Sequence, residues 1–485
     1  MRNIQVFVFI LIVYNSVKSQ KLYNISNDYD LLLTSAELLA EDRKYYYTIG
    51  YAEKMGESEV GFMVSAHDKL DGRVLHTTYY KKPGEWLFTG RRTPVFLKGQ
   101  ELIFGIDATK YLYKFSYNIN SHSITPIDSV KNESSGGLVI TDMIIGNDTT
   151  YYFASLTLPD SNALLLAIKK DDEPSNNIYL PQEKGYFYST SKLSVLSDGT
   201  IIATGGKRKN IDDQIFISEL DKDGNLIKEV NNLISDRCYR VADLELINDS
   251  TLLIDAACSY YPFFYNTIYK YNINQRKFIW KYRNDTRPTE WYNHGGEIIK
   301  GHRENEFLFC TVAEGIGTKP DSIFNVGQVV KIDGNGKKLW SKDYARYSGQ
   351  NLAFNHFATI MATSDGSYLV GGEARIQRTE AWLVKIDEDG NILPIDTTTA
   401  TSITDITDIK IYPNPASDYL IINQGEQTVM SYHLLDMTGR EAAKIDIQSS
   451  HTNVMWELDE VSSGMYILVI KQKGKILESK KIVVR

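Results

Sequence analysis

One phrase of hydrophobic and polar positions recurs along the first 395 residues: a mixed strand, a polar turn, then a β-rich strand ending in small residues. The clearest copies are Ser197-Asp198-Gly199-Thr200-Ile201-Ile202-Ala203-Thr204-Gly205-Gly206 and Ser364-Asp365-Gly366-Ser367-Tyr368-Leu369-Val370-Gly371-Gly372. More degenerate copies turn at Arg43, Gly99, Asp148, Asp249 and Asn305, so the seven markers are 56, 49, 51, 50, 56 and 61 residues apart. Roughly 25 residues after each marker comes a second hairpin signal of the Asp-Gly or Asn type, as in Asp221-Lys222-Asp223-Gly224-Asn225 and Asp387-Glu388-Asp389-Gly390-Asn391. Each unit therefore reads strand, turn, strand, loop, strand, turn, strand. The only 3.6-period stretch, near Asp30 to Arg43, is better explained by the repeat register. Four-stranded antiparallel units at this period predict a β-propeller. Seven units fit within 31–395, with six or eight as the alternatives because the second and third copies are the most degenerate.

After Ile395 the pattern breaks into a polar, Thr-rich linker, 396–407. Short alternating segments follow, with turn residues every 8 to 12 positions, and they predict a small immunoglobulin-like β-sandwich over 408–485. The expected fold is thus all-β: a seven-bladed β-propeller over 20–395, followed by that sandwich.

The sandwich segment carries specific motifs: YPNPASDYLII from Tyr412, LLDMTGRE around Gly439, SSGMYILVI with Gly464 and Tyr466, and a closing KKIVVR with Lys480 and Lys481. In these residues, with Pro413, Asn414 and Pro415 in the first motif, the chain resembles the type-A C-terminal sorting domain of the type IX secretion system of Bacteroidota. The resemblance implies export in two steps, with the type IX machinery as partner of the tail. It further implies a cargo secreted or held at the outer cell surface, the tail commonly being removed and the cargo released or anchored to surface lipopolysaccharide.

The N-terminus agrees with export. Arg2, an apolar run from Ile4 to Tyr14 and the small-residue ending at Val17 and Ser19 predict a secretory signal peptide, 1–19, cut before Gln20. That run is about half the ~20 residues needed to span a bilayer. No other segment is long and apolar enough, so no transmembrane segment is expected. Export permits disulfides, yet three cysteines cannot all pair with one another. Cys238 and Cys258 could bridge neighbouring strands, and Cys310, inside Phe307-Leu308-Phe309-Cys310, reads as a buried thiol. Composition excludes other classes. With 61 acidic and 53 basic residues the net charge is −8, no basic run offsets it, and nucleic acid is not an expected partner. The 32 Tyr, 18 Phe and 6 Trp exclude a disordered chain.

Candidate chemistry is sparse. GxSxG, HExxH, phosphate-loop and dinucleotide fingerprints are absent, and no catalytic residue, cofactor or metal set is assigned. The Asp-rich turns put Gly at position 4 and lack the bidentate Glu of a calcium loop, so they read as hairpin turns. Two hairpins, Lys331 to Trp340 and Tyr271 to Trp280, resemble quinoprotein-type repeats in an Asp or Asn turn followed by Trp; no calcium-lined centre accompanies them, and no cofactor is carried over. The candidate binding residues are aromatic. Tyr260, Tyr261, Phe263, Phe264 and Tyr265 fall in one run between strands, where alternation cannot bury them all. Trp291, Tyr292, His294 and Glu297 form a second group in a loop entering the sixth unit, where they would reach the propeller mouth. The expected task is binding or adhesion to an extracellular glycan or protein. The alternative is a hydrolase or lyase of extracellular polysaccharide or peptide, with its acid and base drawn from different blades.

Overall fold

The computed structural model describes residues 24–27, 33–54, 59–89, 95–108, 111–131, 138–145, 149–158, 161–170, 173, 175–179, 187–209, 212–230, 237–260, 263–284, 296–316, 323–347, 354–376, 378–395, 410–412, 414–423, 430–436, 440–447, 453–459, 461–472 and 475–485. They fall into two compact units, 1–397 and 398–485. Every regular element among them is a β-strand.

In the first unit the strands pair in antiparallel groups of four that follow chain order: 38–80, 87–131, 138–179, 187–230, 238–283, 298–344 and 354–386. The first strand of group 2 is split into Leu87–Thr89 and Phe96–Lys98. Group 7 supplies only three strands of its own, and its fourth is Asn24–Asn27, paired antiparallel with Thr379–Ile386. Leu33 then pairs with both Thr379 and Glu53, joining group 7 to group 1. Trp382 donates its indole N–H to Asn24 at 2.7 Å and stacks on Phe357 at 4.3 Å, so the joint is packed as well as hydrogen-bonded.

The first strands form the inner ring. Those of groups 3 to 7 touch in succession, group 7 touches group 1, group 1 touches Phe96–Lys98, and Glu101–Ala108 of group 2 touches Leu138–Ile145 of group 3. A closed ring of four-stranded meanders is a β-propeller, and closure removes most of the sheet edges that would otherwise invite pairing.

Turn chemistry explains the register. Asp333 accepts the amides of Asn335 and Lys337, both at 2.9 Å, and Asp387 accepts those of Asp389 and Asn391 at 3.0 and 2.7 Å. These carboxylates cap their own turns. Two of the turns also receive a tryptophan from the preceding group. The Trp280 indole N–H donates to the Gly334 carbonyl at 3.1 Å, and that of Trp340 to the Glu388 carbonyl at 3.2 Å. Gly336 and Gly390 have φ of 80° and 76°, and a Cβ on either would lie within 3.0 Å of the docked indole. Glycine is required there for both backbone and space. The Trp of the quinoprotein-type resemblance is thus an inter-group wedge.

Cys238 and Cys258, directly opposite on paired strands of group 5, form a disulfide, and Cys310 is a buried thiol outside it.

In the second unit a three-stranded sheet, Lys410–Tyr412, Tyr419–Asn423 and Asn453–Glu457, accompanies a four-stranded one. The latter runs Glu441–Ile447, Met430–Asp436, Gly464–Gln472, Lys475–Val484. Leu420, Ile422 and Trp456 from the first meet Tyr432, Leu434, Leu468 and Ile482 from the second in one core, an immunoglobulin-like sandwich.

Candidate functional site

Polar side chains recur at one position of the inner ring. In groups 3 to 7 a small residue, a polar residue and an apolar residue follow one another: Thr141-Asp142-Met143, Ser191-Lys192-Leu193, Ala242-Asp243-Leu244, Gly296-Glu297-Ile298 and Ala358-Thr359-Ile360. The register slips by one residue just before Asp142, Asp243 and Thr359. Such a bulge re-aims the side chain after it, here Asp142 and Asp243 toward the next group and Thr359 toward the preceding one. Asp142 accepts the Leu193 amide at 2.8 Å, Asp243 the Ile298 amide at 2.8 Å, and Glu297 the Ile360 amide at 3.0 Å. Glu297 also accepts the Thr359 hydroxyl at 2.5 Å. Lys192 lies between the two aspartates, 3.7 Å from Asp142 and 3.5 Å from Asp243. This chain of charge-assisted bonds ties five consecutive groups together.

Adjoining it is a cavity of about 420 Å³, walled by Leu38, Leu39, Val95, Ile299, Ile360 and Met361 and carrying Glu41, Glu245, Glu297 and Lys300. Lys300 lies 3.5 Å from Glu245, and Glu41 pairs with Lys69 at 3.1 Å. Burial pushes both Glu245 and Glu297 up to about 7, the nearby Asp243 charge adding to it in each case. Asp142 is raised too, by burial, against the pull of Lys192. The cavity therefore holds two carboxyls that change protonation near neutrality, on an aliphatic wall.

Of the candidate residues that are described, Glu297 is the one that lines the cavity. Trp291, Tyr292, His294 and Tyr261 lie outside the described residues. Tyr260, Phe263 and Phe264 are strand residues of a hairpin, Tyr260 opposite Phe263 and Ser259 opposite Phe264, and not members of a long connection. Tyr265 is a correction: it is buried in the core between groups 4 and 5, with the Arg283 guanidinium 5.2 Å above its ring. Strand pairing continues to the hairpin tip, so alternation does bury part of this aromatic run. Asp142, Lys192, Asp243, Glu245 and Lys300 were missed. The small-polar-apolar triplets were the signal for Asp142, Lys192 and Asp243, visible only once the repeats are superposed, and Glu245 and Lys300 lie outside the triplets.

In the sandwich the two ends of the motif set meet. Asn414 donates to the Lys481 carbonyl at 2.8 Å and accepts the Val483 amide at 3.0 Å, while Ala416 and Val483 share a 2.8 Å backbone bond. The Asn-Pro-Ala segment thus clamps the closing strand. Tyr466 donates to the Ser462 carbonyl at 2.7 Å, Gly464 opens its strand, Tyr412 sits on its strand opposite Ile421, Pro415 and Lys481 are exposed and Lys480 is half-buried. Pro413 and Gly439 lie outside the described residues.

Residues 410–485 match the family described as secretion system C-terminal sorting domain. The chain carries a type IX secretion sorting tail, and it is exported to the cell surface or the extracellular space. No curated protein matches the chain. Similar solved structures include the β-propeller domain of the Trilobed protease from Pyrococcus furiosus, 10% identical, covering 77% of this chain and 99% of that one with a TM-score of 0.42. Drosophila Semaphorin 2a is 9% identical, covering 96% and 98%, with a TM-score of 0.44. The Dos1 propeller is 7% identical, covering 83% and 92%, with a TM-score of 0.40. These likenesses are weak, and the assignment of blades rests on the strand pairing above.

Proposed function

We propose that the exported protein is a binding or adhesion module for an extracellular glycan or protein, built on a seven-bladed scaffold. The observation that carries this reading is the commitment of the polar groups in and beside the cavity. Glu297 is engaged by Thr359 and Ile360, Asp243 by Ile298, and Glu245 by Lys300, so they brace the ring. A braced ring whose outer surfaces vary independently suits recognition. A glycan and peptide array probed with the full chain tests it, scoring both retention and cleavage. Retention without cleavage is expected.

One observation favours a second reading, a hydrolase or lyase working in the cavity. Glu245 and Glu297 line one cavity, and each holds its proton to about 7, within the range of a general acid. Cleavage of an arrayed polymer that Glu245→Gln and Glu297→Gln both abolish would replace the binding reading with this one.

A further inference from the structure

The outer strands of the groups are not alike. Lys277–Arg283 in group 5 alternates strictly: Lys277, Ile279, Lys281 and Arg283 are exposed, and Phe278, Trp280 and Tyr282 turn inward. Docking of Trp280 on Gly334 brings this strand against the turn of group 6 that ends in Lys337, followed by Lys338, Leu339 and Lys342 of the next outer strand. Six basic side chains therefore share one sector of the rim with a single strand carboxylate, Asp343, which accepts a bond from Gln328 at 2.8 Å, while Lys342 at the sector's far end donates to Asn391 at 2.6 Å beside the Asp387 carboxylate. The neighbouring turn acid, Asp333, is occupied by its own turn amides. Ile279 and Leu339, 49% and 43% exposed, stand among the charges.

Lysines on an outer strand are a common guard against edge-to-edge pairing, and a guard would be needed on every group. The remaining outer strands lack it. Val74–Tyr80, Asn176–Tyr179 and Asn24–Asn27 carry no Lys, Arg, Asp or Glu, while Ser123–Lys131 and Leu226–Val230 each balance one lysine with one acid. Among the described outer strands the basic excess lies in those of groups 5 and 6, in a chain whose net charge is −8. No basic run announces it in the sequence, because the two contributing segments lie apart and meet only through the tryptophan dock.

We infer that this sector binds an acidic polysaccharide, its sulfates or carboxylates on the lysines and Arg283 and its sugar faces against Ile279 and Leu339. Alternate strand residues stand ~7 Å apart along one line, which suits a linear polyanion. The inference deepens the binding reading and rests on it.

The test uses the full chain on immobilised dextran sulfate, polygalacturonate and neutral dextran, and with phosphatidylglycerol vesicles. Retention on the two anionic glycans that falls steeply with salt is expected. The variant Lys277→Gln/Lys281→Gln/Lys338→Gln should weaken it about tenfold or more and flatten the salt dependence, and the control Lys98→Gln/Lys131→Gln/Lys222→Gln should leave it unchanged. Equal weakening by both variants, or by neither, overturns the inference. Capture of vesicles but not glycans, lost in the first variant, also overturns it and assigns the sector to lipid. Retention of neutral glycans or peptides with no retention of anionic ones leaves the binding reading standing and removes this one. A chain that retains nothing removes both.

Discussion

Replacing Glu297 by Gln should flatten the pH response of the inner ring. Its carboxyl ordinarily titrates at 4.5 and is pushed up to about 7, first by burial and then by Asp243. The folded protein therefore holds a proton that the unfolded chain gives up between these values. Stability from this group is whole below 4.5, falls as pH rises through the window and is lost above about 7. At 1.36 kcal/mol per pH unit the loss is about 3 kcal/mol as an upper figure. Gln keeps an acceptor for the Ile360 amide, so the variant surrenders about 1 kcal/mol of charge-assisted bonding at most. Glu297→Gln should then be more stable than the parent at pH 8 by roughly 1 to 2 kcal/mol, and equal or slightly weaker at pH 5. Denaturant unfolding of the full chain at pH 5, 6, 7 and 8 measures this, and Glu245, shifted in the same sense, leaves a residual slope that Glu245→Gln/Glu297→Gln should remove. A single variant that destabilises by the same amount at every pH refutes the reasoning, because the charge would then be satisfied in the folded ring.

Lys192→Met leaves Asp142 and Asp243 facing each other without their shared cation and should destabilise by roughly 3 to 5 kcal/mol; a loss under 1 kcal/mol in urea unfolding would show the triad to be unimportant. Trp340→Ala removes a half-buried indole from the Gly390 turn and should cost about 2 kcal/mol in thermal unfolding. Asn414→Ala removes both bonds to the closing strand and should cost roughly 1 to 2 kcal/mol locally, seen as faster hydrogen exchange at the Val483 amide with exchange in the propeller unchanged. His122, stacked 3.7 Å from His76, is held below its ordinary value by burial and then by the His76 charge. The unfolded chain takes up that proton first, so stability falls as pH drops through the ordinary histidine range. His122→Asn, which tolerates the positive φ of 54°, should blunt the acid-side loss in a pH series of melting temperatures.

The repeat was legible because each hairpin is a local event. Asp333 and Asp387 cap their own turns, Gly336 and Gly390 supply the left-handed residue, and strand alternation within Lys277–Arg283 needs no distant partner. The sorting tail was equally plain, since its motifs are short and contiguous. What the tertiary structure alone decided is whatever joins one group to the next. The bulges that turn Asp142 and Asp243 toward neighbouring amides, and the bond from Glu297 to Ile360, act over 51, 55 and 63 residues of chain. Closure of the ring pairs Asn24–Asn27 with a strand more than 350 residues away. Tyr265, which read as surface when its run was taken for a loop, is buried because pairing extends to the hairpin tip and group 4 covers it. The basic rim follows the same logic: charge adds up over space, and only the docking of Trp280 on the next turn puts those lysines side by side.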